Sequence, residues 1–312
     1  MNKTIAVVGA GLIGRAWSMV FARAGWQVRL TDNAATQLVA ARDFIAASLA
    51  EQVTHGLASD AAAALERISY VPELRTAVAG VDWVQENLPE VVELKQAVFA
   101  ELDRHAPANA VLASSTSAIP ASQFTEKLAG RSRCIVAHPV NPPHLVPIVE
   151  LCGAPWTAAE TVTRALAVYT EVGQVPIVVR RELDGFILNR LQGALLAEAM
   201  RLVGEGYVSP DDLDKTIRDG LGLRWAFMGP FATIELNAPG GIPDYCARYG
   251  DFFRRLAADP APVAVWGEAN AARVGDALGP PQTQQKRDAR TRWRDRRLMA
   301  LVAHKRSQDP SE

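Results

Sequence analysis

The sequence predicts an α/β protein with a doubly wound, mostly parallel sheet of about eight strands, followed by an all-α domain. Up to about residue 182, short β-rich runs alternate with longer helical patterns, which is typical of a parallel sheet covered by helices on both faces. From residue 183 to residue 312, no convincing strand pattern remains. We therefore expect two domains, one formed by residues 1–182 and the other by residues 183–312.

The first strand and the turn after it carry the most informative motif. Residues 5–8 are apolar and predict a buried strand, and Gly9, Gly11 and Gly14 follow with the spacing G-x-G-x-x-G. The first glycine permits a tight turn, the second lets backbone N–H groups approach a pyrophosphate, and the third lets a helix pack closely on the sheet. That helix is predicted from about Leu12 to Arg23, so the phosphates would lie at its N-terminus. The pattern predicts a Rossmann-like dinucleotide site.

An acidic residue supports this interpretation over a glycine-rich strand exit that binds no nucleotide. The second predicted strand, residues 26–31, ends at Asp32, roughly 20 residues past the glycines, where the adenosine ribose hydroxyls would lie. Asn33 and Ala34 follow, so no arginine is placed to receive a 2′-phosphate. The sequence therefore favours NAD over NADP as the cofactor.

The remaining elements of the first domain follow in regular alternation. Residues 34–66 are alanine-rich and helical in pattern, with a probable break between two helices at Gly56. Helices are also predicted at residues 91–105 and 158–172. Further strands are predicted at residues 68–71, 83–86, 111–114, 134–137, 148–151 and 175–179.

Two helical stretches stand out in the second domain. Residues 186–203 are apolar on most sides, which is typical of a helix buried within a domain or at a dimer interface. Residues 286–306 carry nine Lys or Arg against two acids, and one interpretation of this charge is a nucleic-acid or membrane surface. Trp293, Leu298, Leu301 and Val302 interleave with these charges at helical spacing. This favours an ordinary helix that is docked on one side and solvated on the other.

The composition excludes several classes of partner. A hydrophobic content of 49% and a net charge of −1 describe a globular protein without general affinity for polyanions. We therefore expect neither nucleic acid nor a membrane as a partner. The three cysteines form no close-spaced pair, no signal core precedes the first strand, and no metal site is indicated. These features favour the cytoplasm.

A second group of residues has the chemistry of a dehydrogenase site. Ser117 and His138 follow two predicted strands, and Glu150 stands at the end of the next one. Such strand ends face the cofactor crevice of a doubly wound sheet. Oxidation of a secondary alcohol needs a base for the hydroxyl proton, His suits that role near neutral pH, and an acid can orient its ring. Each residue taken alone could instead be structural, and Asn189, on a mostly apolar helix face, could bond backbone rather than substrate.

These motifs resemble the 3-hydroxyacyl-CoA dehydrogenase family over nearly the whole chain, and within it the lambda-crystallin and L-gulonate 3-dehydrogenase branch. The ordered agreement spans both predicted domains, so it is a specific signal. The stretches that carry the resemblance are GAGLIGRAW (residues 9–17), LPEVVELK (88–95), SSTS (114–117), AHPVNPP (137–143), FILNRL (186–191), EGYVSPDDLD (205–214) and GLRWAFMGP (222–230).

The resemblance implies a role for each matching residue. His138 would be the general base paired with Glu150, while Ser117 and Asn189 would hydrogen-bond the reacting oxygen. It also implies contacts to NAD or its surroundings from Leu12, Ile13, Asp32, Glu90, Lys95 and Asn141, the last near both nicotinamide and substrate. Family members also pair their helical domains, so we expect a homodimer formed through the second domain.

The predicted activity is NAD-dependent oxidation of the 3-hydroxyl of a small hydroxy acid, with L-gulonate as the leading substrate. Family members that act on acyl-CoA usually have two aromatic residues after the histidine, whereas this chain has Pro139 and Val140. The alternatives are a 3-hydroxyacyl-CoA such as 3-hydroxybutyryl-CoA, another 3-hydroxy acid such as carnitine, or a crystallin-like structural protein that binds NAD without turnover.

Two features favour a free acid over a CoA thioester. The resemblance implies that the helical hairpin after the second strand helps to receive CoA in the acyl-CoA enzymes. Here that hairpin, residues 34–66, contains one arginine against four acids, a poor surface for the phosphates of CoA. Arg224 lies in a glycine-flanked segment, residues 222–229, where its guanidinium could bind a substrate carboxylate in two parallel hydrogen bonds. The alternative is a structural arginine paired with a neighbouring acid.

Overall fold

The computed structural model describes residues 3–308 of the chain and confirms the predicted fold class. An eight-stranded sheet has the order β3-β2-β1-β4-β5-β6-β7-β8. Neighbouring strands are parallel except for β6 and β7, which are antiparallel. The strands are β1 (Thr4–Val8), β2 (Gln27–Thr31), β3 (Ile68–Tyr70), β4 (Trp83–Glu86), β5 (Val111–Ser114), β6 (Cys134–Pro139), β7 (Ile148–Cys152) and β8 (Val175–Val179).

The apolar strands form because helices cover both faces of the sheet. Successive side chains of β1 point to opposite faces, so Ile5 and Val7 join one buried cluster while Ala6 and Val8 join the other. Helices α1 (Leu12–Arg23), α2 (Ala35–Thr54), α3 (Ala61–Glu66) and α7 (Ala159–Glu171) contribute to the first cluster. Helices α4 (Leu74–Val78), α5 (Val92–His105) and α6 (Ser122–Thr125) contribute to the second.

The described residues form two compact units. The first comprises residues up to Ile187 together with the segment from Gln285 onwards, and the second comprises Leu188–Gln284. The second unit is helical, in agreement with the predicted all-α domain. Its helices are α8 (Leu188–Gly204), α9 (Pro210–Lys215), α10 (Gly222–Trp225), α11 (Pro230–Glu235), α12 (Gly241–Ala257) and α13 (Glu268–Leu278).

The last helix, α14 (Gln284–Ser307), falls within the predicted second domain, residues 183–312. In the structure nearly all of it belongs to the first compact unit. Met299 is 1% exposed and packs in a cluster with Leu57 and Leu145. Full burial of a methionine side chain contributes about 1.5–3 kcal/mol, and this favours the docked helix. Leu298 and Val302 pack against the same cluster.

The rest of α14 is solvated, as the interleaved charges of its sequence indicate. Trp293 and Leu301, which we also expected on the docked side, are exposed. The local pattern therefore identified a one-sided helix but assigned two large residues to the wrong side. Among residues 3–308, no helix is both long enough and apolar enough to cross a membrane.

Candidate active site

The glycine-rich turn between β1 and α1 has the shape that a dinucleotide requires. Gly9 has a φ of +94°, and a side chain there would also crowd the backbone of Asn87 at 3.0 Å. A Cβ on Gly14 would lie 1.8 Å from the carbonyl oxygen of Gly9, so only glycine lets α1 approach the strand. Gly11 has no protein atom within 4 Å of its would-be Cβ. Open space therefore faces the backbone that should approach the pyrophosphate.

The N-terminus of α1 is suited to an anion. Its N-cap residue is Gly11, which supplies no side-chain acceptor for the first N–H groups of the helix. Leu12 and Ile13, both predicted cofactor-side residues, occupy the first two helical positions. Backbone N–H groups at such a terminus, together with the helix dipole, favour a bound phosphate.

Asp32 lies beside this turn, at the end of β2. One carboxylate oxygen accepts a hydrogen bond from the N–H of Ala10 at 2.8 Å, and the other accepts one from Ala34 at 2.9 Å. These bonds hold the carboxylate next to the glycine turn, and each oxygen retains capacity for another donor. The contact of Asp32 with the ribose hydroxyls of NAD stays a prediction.

Lys95 and Glu90, both expected on the NAD side, differ in burial and in their hydrogen-bond partners. The Lys95 ammonium is buried and lies 3.0 and 3.1 Å from the two carboxylate oxygens of Glu86, and 3.3 Å from the Leu88 carbonyl oxygen. Burial raises the pKa of Glu86, while the Lys95 charge and a hydrogen bond from Ser114 act in the opposite direction. The Lys95 ammonium is therefore enclosed in the fold, where it holds the loop after β4.

Glu90 is exposed and shapes the turn that follows β5. One of its carboxylate oxygens accepts from the Thr116 hydroxyl at 2.7 Å, and the other accepts from the N–H of Ser117 at 2.6 Å. The structure thus brings together two residues that the sequence predicted separately. Ser117 itself is exposed at this turn.

The clearest candidate for a catalytic pair is His138 and Glu150. They are direct partners across β6 and β7, and His138 Nδ1 lies 2.8 Å from Glu150 Oε2. The two residues are 4% and 1% exposed. In the tautomer whose Nδ1–H donates to this carboxylate, Nε2 is the ring nitrogen that can accept a proton. The N–H of Ile187 donates to the other oxygen, Glu150 Oε1, at 2.8 Å.

Three further predicted residues lie outside this pair. Asn141 is exposed in the β6–β7 loop, three residues beyond His138. Asn189 and Arg224 belong to the second unit, where Asn189 is half-buried at the second position of α8 and Arg224 is exposed on α10. Among the side chains described for residues 3–308, no group of His, Cys, Asp and Glu could hold a metal ion.

Sequence reasoning missed a buried polar network behind the glycine turn. The Ser115 hydroxyl accepts from Trp17 Nε1 at 3.0 Å and Gln85 Nε2 at 2.8 Å, and it donates to Asn87 Oδ1 at 2.7 Å. Asn87 Nδ2 in turn donates to the Val8 carbonyl oxygen at 3.1 Å. The available signal was the polar pair at positions 85–86 inside an otherwise apolar strand.

Comparison with known proteins identifies the family. Residues 4–183 match the 3-hydroxyacyl-CoA dehydrogenase NAD binding domain, and residues 185–271 match the C-terminal domain of the same family. The chain belongs to the 3-hydroxyacyl-CoA dehydrogenase family. It is therefore an NAD-dependent oxidoreductase of the 3-hydroxyacyl-CoA and 3-hydroxy acid class.

Similar proteins cover nearly the whole chain. The lambda-crystallin homolog of Bos taurus is 45% identical over 96% of this chain and 94% of its own length. An L-carnitine dehydrogenase of a Pseudomonas species is 38% identical over 80% of this chain and 77% of its own. A solved NAD-dependent 5-formyl-3-hydroxy-2-methylpyridine 4-carboxylic acid 5-dehydrogenase is 28% identical, with a TM-score of 0.86 over 99% of this chain and all of the other.

The position of Asp32 predicts the choice of cofactor. We expect kcat/KM with NAD to exceed that with NADP by one to several orders of magnitude, because a fixed carboxylate repels a 2′-phosphate at close range. Asp32→Asn removes the charge and should reduce this preference. Steady-state kinetics with both cofactors measure the ratio, and Asp43→Asn, on an exposed face of α2, is the matched control. Equal efficiency of the wild type with both cofactors would contradict the assignment.

Proposed function

We propose that this protein oxidises the 3-hydroxyl of a small free hydroxy acid with NAD, and that L-gulonate is the leading specific substrate. The observation that carries the proposal is the buried hydrogen bond between His138 and Glu150, which prepares a neutral imidazole to accept a proton. The high identity to lambda-crystallin homologs over nearly the full chain supports the non-CoA branch.

The chemistry divides between the cofactor and the side chains. NAD, when bound, accepts the hydride from the carbinol carbon. His138 removes the hydroxyl proton through Nε2, and the Glu150 carboxylate stabilises the imidazolium that forms. Ser117 and Asn189 are proposed to hydrogen-bond the reacting oxygen, and Asn141 to lie near the nicotinamide. A purely structural NAD-binding role would not require this polar set.

The first test of the mechanism is His138→Gln. This variant should keep its affinity for NAD while turnover falls about 10²–10⁴-fold, because a positioned base contributes a factor of that size. The matched control is His55→Gln, which changes a half-buried histidine just beyond the C-terminal end of α2. Initial rates and NAD binding by fluorescence give the two readouts. Unchanged turnover in His138→Gln would remove this residue from the mechanism.

The surface of α2 and α3 argues for a free acid. Residues 34–66 carry a single arginine, Arg42, whose guanidinium lies 4.7 Å from the centre of the Tyr70 ring. Asp43, Asp60 and Glu66 are exposed along the same segment. CoA carries several negative charges, so an acidic face here disfavours it.

We propose that Arg224 binds the substrate carboxylate. Its guanidinium is exposed, and no ion pair to it is found within the part of the chain that the structure describes. Arg224→Met should raise KM for a hydroxy acid strongly with little change in NAD affinity, since a bidentate charged contact would be lost. Arg255→Met removes an exposed arginine of the same unit and is the control. 3-Hydroxybutyryl-CoA should be a poor substrate.

Two outcomes would favour other members of the class. Efficient oxidation of 3-hydroxybutyryl-CoA, or an indifferent Arg224→Met variant, would restore the acyl-CoA alternative. The L-carnitine dehydrogenase among the relatives keeps carnitine as a second candidate. A panel of L-gulonate, carnitine, 3-hydroxybutyrate and the thioester, each assayed with NAD, separates these cases.

We also propose that two copies pair through the second unit. Many of its large apolar side chains are exposed. An exposed apolar surface of this extent is unfavourable in water unless a partner covers it. Examples are Leu191, Tyr207, Phe231, Leu236 and Leu256. One chain has a mass of 33.7 kDa, and light scattering should give twice this value. A measured mass equal to that of one chain would contradict the pairing.

The proposed location is the cytoplasm. The three cysteines are free thiols, and Cys246 is exposed. Free thiols of this kind are typical of a reducing compartment.

A further inference from the structure

The turn that leads into α8 has an unusual backbone. Gly185 and Phe186 have φ angles of +74° and +48°, so two consecutive residues are left-handed. Among residues 3–308, Phe186 is the single non-glycine residue with a positive φ. This conformation places Cβ against the following carbonyl group, and bulky residues adopt it only where their surroundings enforce it.

The surroundings of Phe186 include His138, the proposed base. The phenyl ring is fully buried, and its centroid lies 5.4 Å from that of the His138 ring at an interplanar angle of 34°. Phe186 belongs to the same apolar cluster as Val136, Cys152 and Val179, which lie on β6, β7 and β8. The ring is therefore held by the three strands that carry and flank the His138–Glu150 pair.

The left-handed turn also directs a backbone donor at the pair. The N–H of Ile187, the next residue, lies 2.8 Å from Glu150 Oε1, while Oε2 faces His138 Nδ1 at the same distance. One oxygen of the carboxylate is thus held by the turn and the other by the imidazole. Rotation of the carboxylate would break at least one of these bonds.

We propose that Phe186 is a positioning residue for the proton-accepting pair. Its left-handed backbone aims the Ile187 N–H at Glu150, and its ring supports one side of the His138 imidazole. The inference rests on the proposed role of His138 as the base. It matters for rate because a misplacement of about 1 Å in a reacting group lowers turnover by about 10²-fold.

Two substitutions separate the backbone from the ring. Phe186→Leu and Phe186→Val both remove the phenyl group, but only valine is β-branched and strongly disfavours a positive φ. Phe124→Leu is the matched control, because Phe124 is a buried phenylalanine of the same apolar cluster that packs on Phe99. Differences between the two Phe186 variants therefore report on the turn.

The readouts are kcat, KM for NAD, the deuterium isotope effect on kcat with 3-deuterated substrate, and the thermal midpoint. Phe186→Val should lower kcat about 10–100-fold with unchanged KM for NAD and a larger isotope effect, as expected when reacting groups are misaligned. Phe186→Leu should show a smaller loss than Phe186→Val, because it loses the ring that supports the imidazole but is not β-branched. Phe124→Leu should lower the thermal midpoint without changing the isotope effect.

The outcomes distinguish the inference from the function on which it rests. If His138→Gln is inactive while both Phe186 variants keep the wild-type kcat and isotope effect, the positioning role is overturned and the proposed mechanism stands. Equal losses in the leucine and valine variants would overturn the role of the turn. If His138→Gln remains active, the proposed mechanism itself fails.

Discussion

The site depends on the antiparallel pairing of β6 and β7 in an otherwise parallel sheet. Because β7 runs against β6, Glu150 stands directly opposite His138 and the two side chains meet on one face. Side chains alternate between faces along a strand, so a slip of one residue in this register would turn one of them to the opposite side. The apolar residues that flank the pair, Ala137 and Leu151, belong to one buried cluster and oppose such a slip.

Buried polar groups also fix the geometry of the backbone on the cofactor side. Glu86 and Lys95 form an ion pair that is almost fully enclosed, and Ser115 joins β5 to the loop after β4. Desolvation offsets much of the attraction in such a pair, but removal of one partner leaves an uncompensated charge and costs about 3–5 kcal/mol. The ion pair therefore contributes mainly to defined geometry, since it fixes the loop that lies against the glycine turn.

The sequence was most informative where structure is local. The glycine turn, Asp32 and the strands could be predicted because their spacing reflects a short-range constraint. His138 and Glu150 do meet, but the reason differs from the predicted one: β7 runs antiparallel to β6, and Glu150 lies in the middle of β7 rather than at its end. Three features could not be predicted. The enclosure of Lys95, the left-handed Phe186 and the docking of α14 on the first unit all depend on contacts between residues distant in sequence. The roles proposed for Asn189 and Arg224, in the second unit, rest on the resemblance and on charge.

The docking of α14 has a consequence for biosynthesis. Chains leave the ribosome N-terminus first, and domains usually fold as they emerge. Here the first unit is interrupted, because its cluster around Leu57 and Leu145 is covered by Met299, which is translated more than a hundred residues after Ile187. At an elongation rate of about 5–20 residues per second, that cluster stays open to solvent for several seconds. During this interval it is a surface that a nascent-chain chaperone could recognise.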